Sequence, residues 1–107
     1  MHIKIERNAF LEAIEKLVAK KPLGRGKKAY LNGNISISLA DKTIIFQADT
    51  AKVTADASGS WEGAVYLPFQ IAISLLKIPP KEEEMTIEYL DGKLKIGPLK
   101  LAATHYV

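Results

Sequence analysis

The sequence predicts an α+β fold in which one strand-helix-three-strand unit occurs twice, with two helices packed on antiparallel sheets. Three observations predict it. First, IKIERNAFLEAIEKLV at residues 3–18 and VYLPFQIAISLLKIPP at residues 65–80 both pass from a strand-like period to a helical one with no loop between. Second, each run is followed by alternating segments folded back on themselves, at ADKT in the first half and at Asp91-Gly92 in the second. Third, the two halves superpose: Ile5 falls on Leu67, Leu11 on Ile73 and Ile14 on Leu76, while Asn8, Glu12 and Glu15 fall on Gln70, Ser74 and Lys77.

The elements follow in order. Ile3 and Ile5 alternate with Lys4 and Glu6, the pattern of a half-buried strand. Asn8 is placed to cap a helix, and Phe10, Leu11, Ile14, Leu17 and Val18 recur at helical spacing until Pro22 stops it. A basic, glycine-containing loop leads to a strand with Ile35, Ile37 and Leu39 on one face. ADKT then turns the chain back through Ile44, Phe46 and Ala48. A further strand carries Val53, Ala55 and Ala57 inward. In the second half AVYLP is the strand, and Pro68 suits the first helical turn, where its missing N–H has no intrahelical partner. Pro79 and Pro80 end that helix, MTIEYLDGKLKI forms the hairpin, and Leu99, Leu101 and Ala103 line one face of the last strand. The total is about eight short strands. The 107 residues read as one domain, with pseudo-repeats over about 1–58 and 59–107.

Composition narrows the function. With 48% hydrophobic and 25% charged residues the chain is long enough to bury its own core. Cysteine is absent, which excludes a disulfide framework, a thiol nucleophile and thiolate metal ligands. The apolar stretch Ile71–Leu76 is far short of a membrane span. Met1 leads directly into an alternating segment rather than a signal-peptide pattern, so a cytoplasmic location is expected. The formal charge of +3 permits nucleic-acid binding without requiring it. Basic residues cluster in AKKPLGRGKK, which holds Lys20, Lys21, Arg25, Lys27 and Lys28 and no acid. KEEEM at 81–85 is the acidic counterpart and reads as a solvated connection.

No catalytic or metal-binding pattern emerges. His2 and His105 stand near opposite ends, read as exposed terminal residues, and have no carboxylates at metal-ligand spacing. GRG at 24–26 lacks the spacing and the strand-to-helix setting of a phosphate loop. Tyr30, Trp61 and Tyr66 have the chemistry to stack on bases, but their apolar neighbours favour core or interface roles. The expectation is a protein without enzymatic activity, metal or cofactor.

Five segments, IERNAFLEAIEKL, KPLGRGKKAYLNGNISI, DKTIIFQADT, VYLPFQIAISLLKIPP and YLDGKLKI, together resemble in order and spacing a domain of the DNA sliding clamps, in particular the bacterial beta clamp of the replicative polymerase. The resemblance covers essentially the whole chain and implies the DNA-clamp fold. It also implies a mode of action without chemistry. Clamps of this family close six such domains into a ring, with helices lining the hole and sheets forming the wall. Duplex DNA is held by topology and loose phosphate contacts, while polymerases and repair proteins dock outside through short peptides.

Carried onto this sequence, the resemblance implies double-stranded DNA as one partner, further copies of the chain as another, in a hexameric ring or a dimer, and a DNA polymerase or other replication or repair protein as a third. Arg25, Lys27 and Lys28 stand where the family has a basic loop near DNA, with Lys21 beside them. Lys77 lies on the helix stripe that faces DNA in the family, and Lys16 and Lys20 flank the first stripe. Glu12 and Glu15 on that stripe oppose phosphate binding. Two alternatives stay open: a protein-interaction module that kept the clamp fold without encircling DNA and pairs with a polymerase or larger clamp, and a saddle that grips DNA with its sheet. Against the saddle, this sequence lacks the paired intercalating phenylalanines that such a saddle uses.

Overall fold

A computed structural model describes residues 1–20, 33–48 and 51–106, and the side chains of 18–20 are outside that description. In chain order the elements are β1 (His2–Glu6), α1 (Arg7–Lys20), β2 (Asn34–Ala40), β3 (Thr43–Ala48), β4 (Ala51–Asp56), β5 (Ser58–Ser60), β6 (Ala64–Pro68), α2 (Phe69–Lys77), β7 (Glu84–Leu90), β8 (Lys93–Ile96), β9 (Leu99–Ala102) and β10 (Thr104–Tyr106). The strands form two five-stranded sheets, ordered β5-β1-β7-β8-β9 and β10-β6-β2-β3-β4, and every pairing is antiparallel. This is the α+β architecture expected, two helices on antiparallel sheets.

The duplication is interlocked. Replacing each strand by its counterpart in the other half (β1 by β6, β2 by β7, β3 by β8, β4 by β9, β5 by β10) converts one sheet order into the other. Each sheet therefore takes its first strand from one unit and its hairpin from the other: β1 pairs with β7, and β6 with β2. Neither unit completes a sheet alone.

Strand alternation sorts the core. Ile3, Ile5, Ile35, Ile37, Ile44, Phe46, Val65, Leu67, Met85, Ile87, Leu94 and Ile96 point inward and are buried, and among the described residues no polar or charged side chain is. The helices close this core with Phe10, Ala13, Ile14 and Leu17 from α1 and Phe69, Ala72 and Leu75 from α2. Helix α1 packs on α2, β1, β3 and β4.

Three expectations change in detail. The expected strands, about eight, become ten among the described residues, because the last strand of each unit leaves one sheet at Ala57 or Ala103 and joins the other. Asn8 does not cap α1: the helix begins at Arg7, whose N–H donates to the Glu83 carbonyl of the other unit at 2.7 Å. Pro68 is the N-cap of α2 rather than part of its first turn, and the N–H of Phe69 donates to the Gly33 carbonyl at 2.9 Å. These two bonds are counterparts. They explain the missing loops, since a carbonyl from the opposite unit meets one of the N–H groups that the first helical turn leaves without an intrahelical partner.

Candidate DNA-facing helix layer and open sheet edges

Each helix turns its apolar face to the sheets and leaves a polar stripe outside. Asn8, Glu12 and Glu15 on α1 and Gln70, Ser74 and Lys77 on α2 are all exposed, at the spacing the sequence predicts. Lys16 Nζ lies 3.0 Å from Glu12 Oε1 with both side chains largely in solvent. Such an (i, i+4) pair adds little stability but keeps the lysine's charge beside an acid. On the outer stripe Glu12 and Glu15 balance Lys16 and Lys77, and Arg7 at the start of α1 donates to Lys81 O at 3.1 Å, so the described stripe is not a basic surface. Of the residues expected near DNA, Lys16 and Lys77 stand on this layer. Lys20 ends α1 with its side chain outside the description, and Lys21, Arg25, Lys27 and Lys28 lie outside the described residues.

Among the described residues no strand pairs with the outer sides of either sheet, which leaves open edges. Strands β4 and β9 occupy corresponding positions at the outer side of each sheet, and the short β5 and β10 occupy the other side. Hydrogen-bonded positions alternate along an antiparallel ladder. The N–H of Ala103 donates to Gly92 O and that of Ala57 to Lys42 O, each at 3.0 Å. Two-residue alternation from those bonds leaves the backbone groups of Lys100 and Ala102 on β9, and of Lys52, Thr54 and Asp56 on β4, directed away from the sheet.

The outward faces differ. One sheet presents His2, Lys4, Glu6, Glu84, Glu88, Lys93, Lys95 and Lys100, and the other mainly Asn34, Ser36, Ser38, Gln47, Thr54 and Tyr66. Tyr66, 37% exposed, lies against Tyr106 with ring centroids 5.0 Å apart, outside the core. Trp61 is half-buried, and its Nε1–H donates to Ile37 O at 3.1 Å. His105 is half-buried beside the Tyr89 ring, with Nε2 2.6 Å from Glu62 O, while His2 is exposed. Tyr30 lies outside the described residues. Among the described residues no group of His, Cys, Asp and Glu is placed to hold a metal ion, and no helix is long and apolar enough to cross a membrane.

One apolar groove was not anticipated. About 690 Å³ in volume, it lies between the end of α2 and the start of β9, with Ile71, Leu75, Ile78, Pro79, Pro98 and Leu99 among its lining. Its origin is the unequal length of the helices, 14 residues in α1 against 9 in α2. Val53 on β4 is buried, whereas its counterpart Leu99 on β9 is only half-buried and faces the groove. The early proline pair after Lys77 was the signal in the sequence.

No protein-family model and no curated protein matches the sequence. Solved structures do. The chain is similar to the sliding clamp (DNA polymerase III subunit beta) of Pseudomonas aeruginosa bound to griselimycin, with a TM-score of 0.69 and 15% identity over 98% of this chain and 30% of that one. A second structure of the Pseudomonas aeruginosa beta subunit gives 0.69 and 16% over 99% and 30%. The Caulobacter crescentus polymerase III beta protein gives 0.66 and 18% over 96% and 29%. The fold is thus that of one sliding-clamp domain. The chain spans about 30% of the length of these clamps.

Proposed function

We propose that the protein is a sliding-clamp-like DNA tether that self-assembles and holds replication or repair proteins on duplex DNA without sequence preference. The observation that carries this is the clamp-domain fold, with an exposed helix layer on one side and an open edge strand, β4 or β9, on each sheet. Open edges invite pairing with a further copy, as a closed hexameric ring or a dimer. In this reading Arg25, Lys27 and Lys28 contact phosphate from the segment after α1, with Lys20 and Lys21 beside them and Lys16 and Lys77 on the helix layer. The action is non-enzymatic, needs no cofactor and takes place in the cytoplasm.

The test compares retention on nicked circular DNA with retention on the same DNA linearised, after a salt wash, with any loader supplied. Phosphate contacts weaken steeply with salt, whereas topological linkage does not depend on them. Selective retention on the circle supports the tether. Equal loss from both forms by an intact, demonstrably loaded oligomer refutes encirclement.

A second reading is a non-encircling interaction module that pairs with a polymerase or a larger clamp through its sheet edges. The balance of Glu12 and Glu15 against Lys16 and Lys77 on the helix stripe and the uncovered groove beside β9 favour it.

A further inference from the structure

We infer that the β9 edge is a docking site for an extended segment of another protein in which acidic and apolar residues alternate. The inference rests on the interaction-module reading, in which β9 is not consumed by a ring.

Three independent features meet at this edge. The backbone groups of Lys100 and Ala102 face away from the sheet and can accept a further antiparallel strand. Side chains of an added strand alternate between two faces, as they do in β9. On the inner side they enter the apolar groove, whose rim carries Ile78, a large side chain 81% exposed. Every second residue of the partner is therefore apolar.

On the outer side the added strand meets Lys93, Lys95 and Lys100, all exposed and, among the described residues, in no ion pair. Lys95 and Lys100 stand directly opposite each other. Lys95 also has Glu88 opposite it on its other side, so Lys100 is the member of the row that faces a like charge with no acid across from it, and a carboxylate on the added strand supplies one. The intervening partner residues are accordingly Glu or Asp.

Charge complementarity also argues against a second copy as the occupant. The open edge β4 brings Lys52 and Thr54 on its outer face and only Asp56 as an acid, and β5 and β10 carry no acid at all. Among the described residues the one strand with two acids outside and apolar residues inside, β7, is already paired on both sides.

The probe is a fluorescein-labelled ten-residue peptide alternating Glu with Val or Ile, compared with the same residues scrambled and with a peptide alternating Lys with Val or Ile. Fluorescence anisotropy against the full chain reads the affinities. The alternating Glu peptide is expected to bind about tenfold or more tighter than its scrambled form. The double variant Lys95→Glu, Lys100→Glu is expected to lose about tenfold for the Glu peptide and gain about tenfold for the Lys peptide. Ile78→Asp, a change at an exposed position, weakens both alternating peptides. Equal binding of alternating and scrambled peptides, or indifference to the charge reversal, overturns the proposal. Failure of the peptide to bind, with Ala102→Pro turning a native oligomer into a monomer, overturns it in favour of a second copy. The circle-retention assay decides the module reading separately: a chain retained on circles refutes the module, whereas a chain not retained that ignores the peptide refutes this site alone.

Discussion

Ala57 and Ala103 occupy the same place in the two copies of the unit, each donating its N–H at 3.0 Å to a hairpin-tip carbonyl, that of Lys42 and that of Gly92. At each the chain steps from one sheet to the other, from β4 to β5 and from β9 to β10. Proline at position 103 removes the donor and leaves the Gly92 carbonyl without that partner. We expect Ala103→Pro to cost about 1–3 kcal/mol. Urea denaturation should show a lower midpoint for Ala103→Pro and a near-unchanged one for Ala102→Pro, whose N–H faces the open edge.

Gly59 in β5 has φ 145° and sits opposite Ile3. A Cβ there would overlap the His2 carbonyl oxygen and crowd the Ile3 Cα. Only glycine adopts this backbone conformation without strain. Gly59→Ala should therefore cost about 1–3 kcal/mol through strain alone, read as a drop in thermal midpoint. A variant as stable as the parent would show that β5 is not held against β1.

Where helix meets sheet, Phe10 of α1 packs edge-on against Phe46 of β3, with centroids 5.7 Å apart and ring planes at 74°. Both side chains are fully buried. Either Phe→Ala change should cost about 3–5 kcal/mol, and the double-mutant cycle should show a coupling of about 0.5–1.5 kcal/mol. Phe10→Leu and Phe46→Leu retain more volume and provide folded members for the cycle. Additive costs would place the rings in independent environments.

Period and turn chemistry were legible in the sequence because they are local. Asp41 and Asp91 have φ of 59° and 51° at the two hairpin tips where ADKT and Asp91-Gly92 predict turns. The stripe of Asn8, Glu12 and Glu15 is exposed, as its spacing requires. What escaped is non-local. Asn8 looked like a cap because nothing near Arg7 in sequence signals that Glu83 supplies a carbonyl. The steps at Ala57 and Ala103 leave the strand period intact while changing which sheet it serves. The basic row Lys93, Lys95 and Lys100 was visible only as ordinary strand alternation until pairing brought Lys95 and Lys100 face to face. The groove likewise depends on comparing where two distant helices end.

Charge on the helix layer gives opposing expectations for DNA. Converting Glu12 and Glu15 to Gln removes two negative charges and frees Lys16 from its ion pair. Stability should change by less than about 0.5 kcal/mol, while duplex affinity rises and its salt dependence steepens. Replacing Arg25, Lys27 and Lys28 with Ala should do the reverse, weakening all duplex sequences alike. Salt titrations on two unrelated duplexes check both. Unchanged binding in both variants would place DNA elsewhere or nowhere on the chain.

Assembly through the sheet edges can be dissected with one proline on each. Thr54→Pro blocks β4 and Ala102→Pro blocks β9, and each replaces an N–H that points away from its own sheet. If copies join head to tail, β4 of one to β9 of the next, each variant alone is a monomer because every seam needs both edges. An equimolar mixture then forms a dimer and stops there: the Ala102→Pro chain offers its intact β4, and the Thr54→Pro chain its intact β9. If copies instead join by like edges, one variant remains a dimer by itself and mixing adds nothing. Light scattering on each variant and on the mixture separates these outcomes. We expect the head-to-tail pattern for the ring-forming tether. A parent chain that is already a monomer of 11.8 kDa at tens of micromolar would remove the homo-oligomer altogether.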